Sequence, residues 1–322
     1  MAVKKIENVK MGYTWTSYIA SVEGALRSAG LWDAETWRLM GQTGMGFHFI
    51  VHKQVCPSAV TVYDWAQDHL NAMDRIGIHS QVYSAIDFRM NTFEKIREDA
   101  ISLIQESIHQ GCPVLVWAPT RLLEFGLITG FDDEDGVFFV QDCTGQPCDP
   151  MLYGNLGLSE VPMLFYQIFK GKVEVSQEKI FMDSLKYGIS EWEKTFHISP
   201  DFASGRMAYN YLIQAMESGS FDDFGLAYCL AVYADSHGCI AKYLHDIAQT
   251  CENLKELVKA ADLFEQITVN LKKLTVLFPF SGSNGVGCKL DRSLVPEGLT
   301  LVKKCLDLEE QAFNCIKAVV GS

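Results

Sequence analysis

The sequence has little that would mark a membrane, secreted or nucleic-acid-binding protein. No stretch approaches the roughly 18 consecutive apolar residues of a transmembrane helix, so no membrane partner is expected. The first 15 residues contain lysines but no apolar core of a signal peptide, which predicts a cytoplasmic protein. Acidic residues outnumber basic ones by 40 to 27, and this net charge of −13 disfavours a nucleic-acid partner.

The ten cysteines also lack a C-x-x-C pair. In a reducing compartment most of them are expected to be free thiols that serve as small apolar groups. Cys143 and Cys148 flank a turn beside Asp142 and Asp149, and a metal site there is the alternative. Because a second ligand pair is missing, the sequence predicts no metal and no cofactor.

The 322 residues are enough for two domains, and 48% hydrophobic residues can form a sizeable core. Residues 1–172 mix helical and strand patterns, whereas residues 173–322 show helical periodicity only. The sequence therefore predicts an α+β domain with an antiparallel sheet, followed by an all-α domain. The strands are predicted at 46–52, 80–86, 113–117, 125–131, 137–141 and 162–169. The helices are predicted at 17–30, shortly after Asp33, and at 61–75, 92–110, 177–192, 204–218, 224–234, 238–251, 254–278 and 294–319, with a linker at 279–287.

Three residues of the first domain are candidates for acyl-transfer chemistry. Ser17 begins a helix, where the macrodipole and free backbone amides stabilise an anion. Glu124 and Asp142 lie at the ends of two neighbouring strands, where an enzyme of this class carries its base and the acid that orients it. We therefore predict that Ser17, Glu124 and Asp142 converge.

Three segments resemble the butirosin-biosynthesis protein H family and, more distantly, bacteriocin-processing peptidases of papain-like fold. Residues 17–30 resemble the family's nucleophile helix. Residues 40–49 (MGQTGMGFHF) are similar to its glycine-rich loop G-L-G-x-G-L-G-F. Residues 124–133 (EFGLITGFDD) are similar to its strand H-x-V-V-V-x-G-Y-D-D, and the strand after it ends in the family's acid at Asp142.

The resemblance implies a papain-like fold with altered chemistry. The family's cysteine aligns with Ser17, or with Thr16 one residue earlier, and its histidine aligns with Glu124. Only Asp142 is retained. A free Glu has a pKa of about 4.3, which is too low for a general base at neutral pH unless burial or Asp142 raises it.

Each candidate also has a plainer interpretation. Ser17 is either the nucleophile or the N-cap of its helix. Glu124 is either a reacting group or a solvated acid at a strand end, and Asp142 is either a partner of Glu124 or the first residue of an Asx turn. The glycines at 41, 44 and 46 either bind an anion or permit a tight turn and close packing.

Ligand contacts are predicted near the helix start and along the glycine-rich segment; the candidates are Trp15, Thr16, Gly44, Gly46, Phe47, His48 and Cys56. His48, His52 and Cys56 are alternatively a metal site, but the favoured interpretation of the two histidines is that they are partly buried and hydrogen-bonded. Cys56 is a minor candidate nucleophile. Three functions stay open. The first is binding of a small amine-bearing or peptide-like molecule, in secondary metabolism. The second is an acyltransferase or amidase that uses Ser17, with a carrier protein as partner. The third is a structural protein that forms a homo-oligomer.

Overall fold

The computed structural model describes residues 3–85, 87, 89–161, 163–281 and 288–321. Ile86, Pro162 and residues 282–287, which the sequence places in two strands and the linker, lie outside the described residues. The helices are α1 (Ser17–Ser28), α2 (Thr36–Gln42), α3 (Trp65–Arg75), α4 (Phe93–His109), α5 (Gln177–Glu193), α6 (Gly205–Ser218), α7 (Asp223–Thr250), α8 (Val258–Leu277) and α9 (Val295–Val320). The strands are β1 (Val3–Lys5), β2 (Ile50–His52), β3 (Ile78–Ala85), β4 (Val114–Trp117), β5 (Phe125–Asp132), β6 (Val137–Gln141), β7 (Met151–Leu152), β8 (Leu164–Lys172) and β9 (Phe202–Ser204).

The chain divides into two compact units, and the first is discontinuous. It comprises Met1–Thr36 and Trp65–Glu174, while the second comprises Trp37–Asp64 and Val175–Ser322. The second boundary falls close to the predicted change at residue 172. In contrast to the predicted division, however, Trp37–Asp64 belongs with the C-terminal helices.

The first unit is built on an antiparallel sheet in the order β3-β8-β4-β5-β6-β7, with β1 paired to β5. Side chains alternate between the two faces of each strand. Val114, Val116 and Ile128 pack with the apolar stripe of α4. The opposite face meets α1, where Gly24 lies close to Leu127. Because helices cover both faces, β5 is almost entirely buried, and its first residue lies beside α1.

The second unit consists mainly of α5–α9, to which Trp37–Asp64 adds a short strand. β2 pairs antiparallel with β9, and Ile50 lies opposite Ser204. The segment belongs here because Phe47, Phe49 and Val51 join the apolar core of the helices. The predicted strand at 46–52 is therefore limited to Ile50–His52, after a 3-10 turn at Met45–Phe47. This unit is helical with one small sheet.

A single helix, α7, replaces the two helices predicted at 224–234 and 238–251. Gly238, the first residue of the second predicted helix, lies within α7 and packs against α8. A Cβ atom there would be 3.3 Å from Cγ2 of Thr268. The glycine thus permits close helix packing and does not end the helix.

Within the described part of the chain, the helices are too short or too polar for a membrane crossing.

Candidate active site

Ser17 is the first residue of α1, and its side chain is directed to β5. Its hydroxyl donates a hydrogen bond of 2.5 Å to Oε2 of Glu124. The hydroxyl oxygen of Ser17 in turn accepts a hydrogen bond of 3.2 Å from the backbone amide of Phe125. The N-cap is Thr16, in extended conformation, so the N-cap interpretation of Ser17 is wrong. Only 5% of Ser17 is exposed, which leaves Glu124 as the more accessible member of the pair.

Glu124 occupies the position immediately before β5, at the end of the connection from β4. Its backbone carbonyl accepts a hydrogen bond of 2.9 Å from the amide of Ala118, which closes this connection. Ala118 has a φ of 48°, in the left-handed region, so the backbone turns sharply after β4. Together these features hold the half-buried Glu124 carboxylate at the N-terminus of α1.

Asp142 follows β6 and is held by two threonines. Its Oδ1 accepts hydrogen bonds from the amide of Thr144 at 2.9 Å and from the Thr144 hydroxyl at 2.5 Å. Its Oδ2 accepts from the Thr120 hydroxyl at 3.1 Å. The bond to the amide two residues later is the predicted Asx turn. Local contacts therefore fix the carboxylate of Asp142 at the same end of the sheet as Glu124.

Cys143 follows Asp142 and lies in the field of both carboxylates. The sequence predicted no role for it other than as part of the alternative metal site. Desolvation, followed by the negative charges of Glu124 and Asp142, raises the pKa of the Cys143 thiol to about 12. The charges of both carboxylates therefore act on the Cys143 thiol. At neutral pH the thiol is protonated, which excludes it as a thiolate nucleophile. Its position directly after Asp142 was the available sequence signal.

Aromatic rings pack behind the Ser17–Glu124 pair. The Phe125 ring centroid is 5.0 Å from that of Trp117 and 4.8 Å from that of Trp65. Tyr18, the residue after Ser17, stacks on the buried imidazole of His69 at 3.5 Å. These apolar surroundings lower the local dielectric and strengthen the electrostatic interactions of a nearby carboxylate.

The predicted ligand residues belong to two different units. Trp15 and Thr16 precede Ser17 in the first unit, and Trp15 is 42% exposed. Those of the glycine-rich region belong to the second unit; they are Gly44, Gly46, Phe47, His48 and Cys56.

The glycines of this region allow close packing. A Cβ atom at Gly41 would lie 2.1 Å from the Tyr243 ring, and one at Gly46 would lie 2.7 Å from Ile240. Both neighbours belong to α7. Gly44 has a φ of 77°, which favours glycine. These contacts favour the packing interpretation of the glycines over an anion site.

His48 belongs to a buried cluster around Glu191 that the sequence did not reveal. Glu191 accepts hydrogen bonds from His197 at 2.7 Å and from Lys194 at 2.5 Å, and His48 lies 3.9 Å away. His48 also shares a hydrogen bond of 2.5 Å with Tyr187. Burial raises the Glu191 pKa, but the hydrogen bonds from His197 and Lys194 and the charges of His48 and His197 outweigh it, so the pKa falls to about 2. Glu191 is thus an ionised buried carboxylate.

Cys56 lies apart from this cluster, with its sulfur 3.1 Å from the Ser58 hydroxyl.

Comparison with known proteins identifies no relative of the chain among family models or curated proteins. Among the predicted catalytic residues, Ser17 and Glu124 are in direct contact, and Asp142 acts on the same thiol as Glu124.

Proposed function

We propose that the first unit is a papain-like domain, related to the butirosin-biosynthesis protein H family, that binds a small amine-bearing or peptide-like molecule at Glu124 and Asp142. The observation that carries the proposal is the position of two carboxylates at the same end of two paired strands. Glu124 precedes β5 and is bonded by Ser17, and Asp142 follows β6 and is held by Thr120 and Thr144. Two negative charges beside apolar aromatic rings, where the local dielectric is low, attract a cation such as a protonated amine. Family chemistry is replaced by binding because Ser17 and Glu124 stand at the cysteine and histidine positions.

The state of Ser17 supports binding without bond cleavage. Its oxygen accepts a hydrogen bond from the buried Phe125 amide, which occupies a lone pair that would otherwise attack an acyl carbon. An ionised Glu is also a weak base toward a hydroxyl. Ser17 therefore orients Glu124, and Glu124 meets the ligand.

Calorimetric titration with spermidine, glucosamine and an alanine tripeptide tests this proposal. N-acetylglucosamine, which lacks the charged amine, is the matched ligand control. We expect binding of at least one amine, weakened about tenfold or more by Glu124→Gln, because a charge-assisted hydrogen bond contributes about 1.5–3 kcal/mol. Glu134→Gln, an exposed acid of the β5–β6 turn, is the matched variant and should bind normally. Equal binding by wild type and Glu124→Gln would refute the proposal.

A second function, acyl transfer or amide hydrolysis by Ser17, is favoured by the 2.5 Å hydrogen bond between Ser17 and Glu124. In that reaction the hydroxyl oxygen attacks the acyl carbon and its proton passes to Glu124. Glu124 then returns this proton to the leaving group as the bond between the leaving group and the acyl carbon breaks, which leaves the acyl group on Ser17. Incubation with a p-nitrophenyl ester followed by mass spectrometry distinguishes the two functions. An acyl adduct on Ser17 that is absent in Ser17→Ala establishes the enzyme; its absence in both leaves binding as the function.

A further inference from the structure

We propose that His245, Asp262 and Glu265 bind a divalent transition-metal ion on the surface of the second unit. His245 lies in α7, whereas Asp262 and Glu265 lie three positions apart on one face of α8. Nε2 of His245 is 3.0 Å from Oε1 of Glu265 and 3.7 Å from Oδ1 of Asp262. One donor atom from each residue lies within 4.8 Å of the other two. The three side chains thus converge on one point.

The two separations from His245 are close to those between ligand atoms around one ion. Zinc binds nitrogen and oxygen at about 2.1 Å, so two ligands of a tetrahedral site are about 3.4 Å apart. The two distances from His245 Nε2, 3.0 and 3.7 Å, lie on either side of that value. A single ion pair would need only one carboxylate at the imidazole. Two carboxylates from successive turns of α8 complete a three-ligand arrangement.

The donor set selects the class of metal. Imidazole together with carboxylates suits zinc, manganese and similar first-row ions, whereas calcium and magnesium prefer oxygen ligands alone. The two carboxylates also neutralise the charge of a divalent ion.

Exposure determines what completes the coordination. The side chains of Asp262 and Glu265 are about 60% exposed, at 60% and 61%, and that of His245 is 26% exposed. Water therefore fills the remaining positions, and the ion can exchange with solvent. The ligands are held in place because α7 and α8 pack closely, as the approach of Gly238 to Thr268 shows.

Metal titration of the full-length protein, after treatment with a chelator, tests the site. Zinc binding is followed by competition with a fluorescent chelator, with calcium and magnesium in parallel. We expect a zinc site that His245→Ala and Glu265→Gln each weaken about tenfold or more. His79→Ala, an exposed histidine of the first unit, should leave it unchanged. These positions are on the surface, and circular dichroism checks that the variants remain folded.

Because the free thiols also bind zinc, a second measurement uses manganese, which prefers nitrogen and oxygen ligands. We expect manganese to broaden the imidazole NMR signals of His245 before those of the other histidines, and Glu265→Gln to abolish this selectivity. Unchanged zinc affinity in His245→Ala, or broadening with no preference for His245, would reduce the cluster to a surface ion pair.

Discussion

Ser17 and Glu124 lie 107 positions apart in the chain, yet the hydroxyl of one donates a 2.5 Å hydrogen bond to the carboxylate of the other. The contact joins the first turn of α1 to the entry of β5. It connects a helix N-terminus, where anions are stabilised, with an acid that the fold keeps half buried. The stability and the electrostatics of the first unit should both depend on it.

Ser17→Ala should destabilise the protein by about 1–2 kcal/mol, because it removes the hydroxyl that accepts from the buried Phe125 amide and donates to the Glu124 carboxylate. Urea unfolding measures this free energy. Ser102→Ala is the control, because Ser102 is a helix serine whose hydroxyl donates to the Glu98 carbonyl at the exposed surface, and its effect should stay within about 0.5 kcal/mol. Equal effects of the two substitutions would show that the Ser17–Glu124 contact contributes no stability.

Cys143 should react slowly with iodoacetamide at pH 8 despite its exposure, because its pKa is raised to about 12. Glu124→Gln removes one of the charges that raise this pKa, so alkylation should become several-fold faster. Peptide mass spectrometry follows the modification of this thiol alone, and Glu134→Gln is the control. A rate that Glu124→Gln does not change would mean that Glu124 lies too far from Cys143 to act on it.

Stability should fall as the pH drops from about 4.5 to about 2, in part through Glu191. The folded-state pKa, about 2, lies below the ordinary value of 4.5. A depressed pKa contributes stability that is complete above the unfolded value and is lost as the pH falls toward the folded value. The contribution is on the order of 3 kcal/mol.

Glu191→Gln should therefore be less stable at pH 7 but should lose less stability between pH 4.5 and pH 2. Thermal unfolding at a series of pH values gives both results. Glu193→Gln, at an acid on the same helix with an exposed salt bridge, is the control. Parallel pH curves for wild type and Glu191→Gln would contradict the assignment of a depressed pKa.

Gly41→Ala should destabilise the second unit by about 1–3 kcal/mol. The new methyl group would lie 2.1 Å from the buried Tyr243 ring, and 2.7 Å from its Cβ atom, which cannot move away without a shift of α7. Gly154→Ala, where the structure places no atom within 4 Å, is the control and should change stability little. Similar unfolding midpoints for the two variants would indicate that α7 adjusts freely.

Local patterns in the sequence predicted much of the fold. The apolar stripe of α4 and its stop at Gly111 gave residues 92–110, and the helix spans Phe93–His109. The contact of Ser17 with Glu124 was predicted from their places at a helix start and a strand end, although no local pattern connects residues so far apart. The hydrogen bond from the Thr144 amide to the Asp142 carboxylate was predicted as an Asx turn, because such a turn depends only on neighbouring residues.

The assignment of Trp37–Asp64 could not be predicted in the same way. The alternation of Phe47, Phe49 and Val51 indicates burial but does not identify the apolar surface that receives it. The Glu191 cluster was missed for the same reason, because its members come from a loop, a helix and a distant segment. The continuity of α7 through Gly238 could not be predicted either, because glycine occurs both at helix ends and at close helix contacts.

The membership of Trp37–Asp64 in the second unit has a consequence for synthesis on the ribosome. The segment emerges before most of the sheet, but the helices that bury Phe47 and Phe49 are translated only after residue 175. Its aromatic side chains must stay uncovered while more than half of the chain is made, and in that interval they are open to chaperones and to aggregation. A nascent chain that stops at residue 174 contains all of the first unit and an orphan segment, so truncation there should yield an insoluble product.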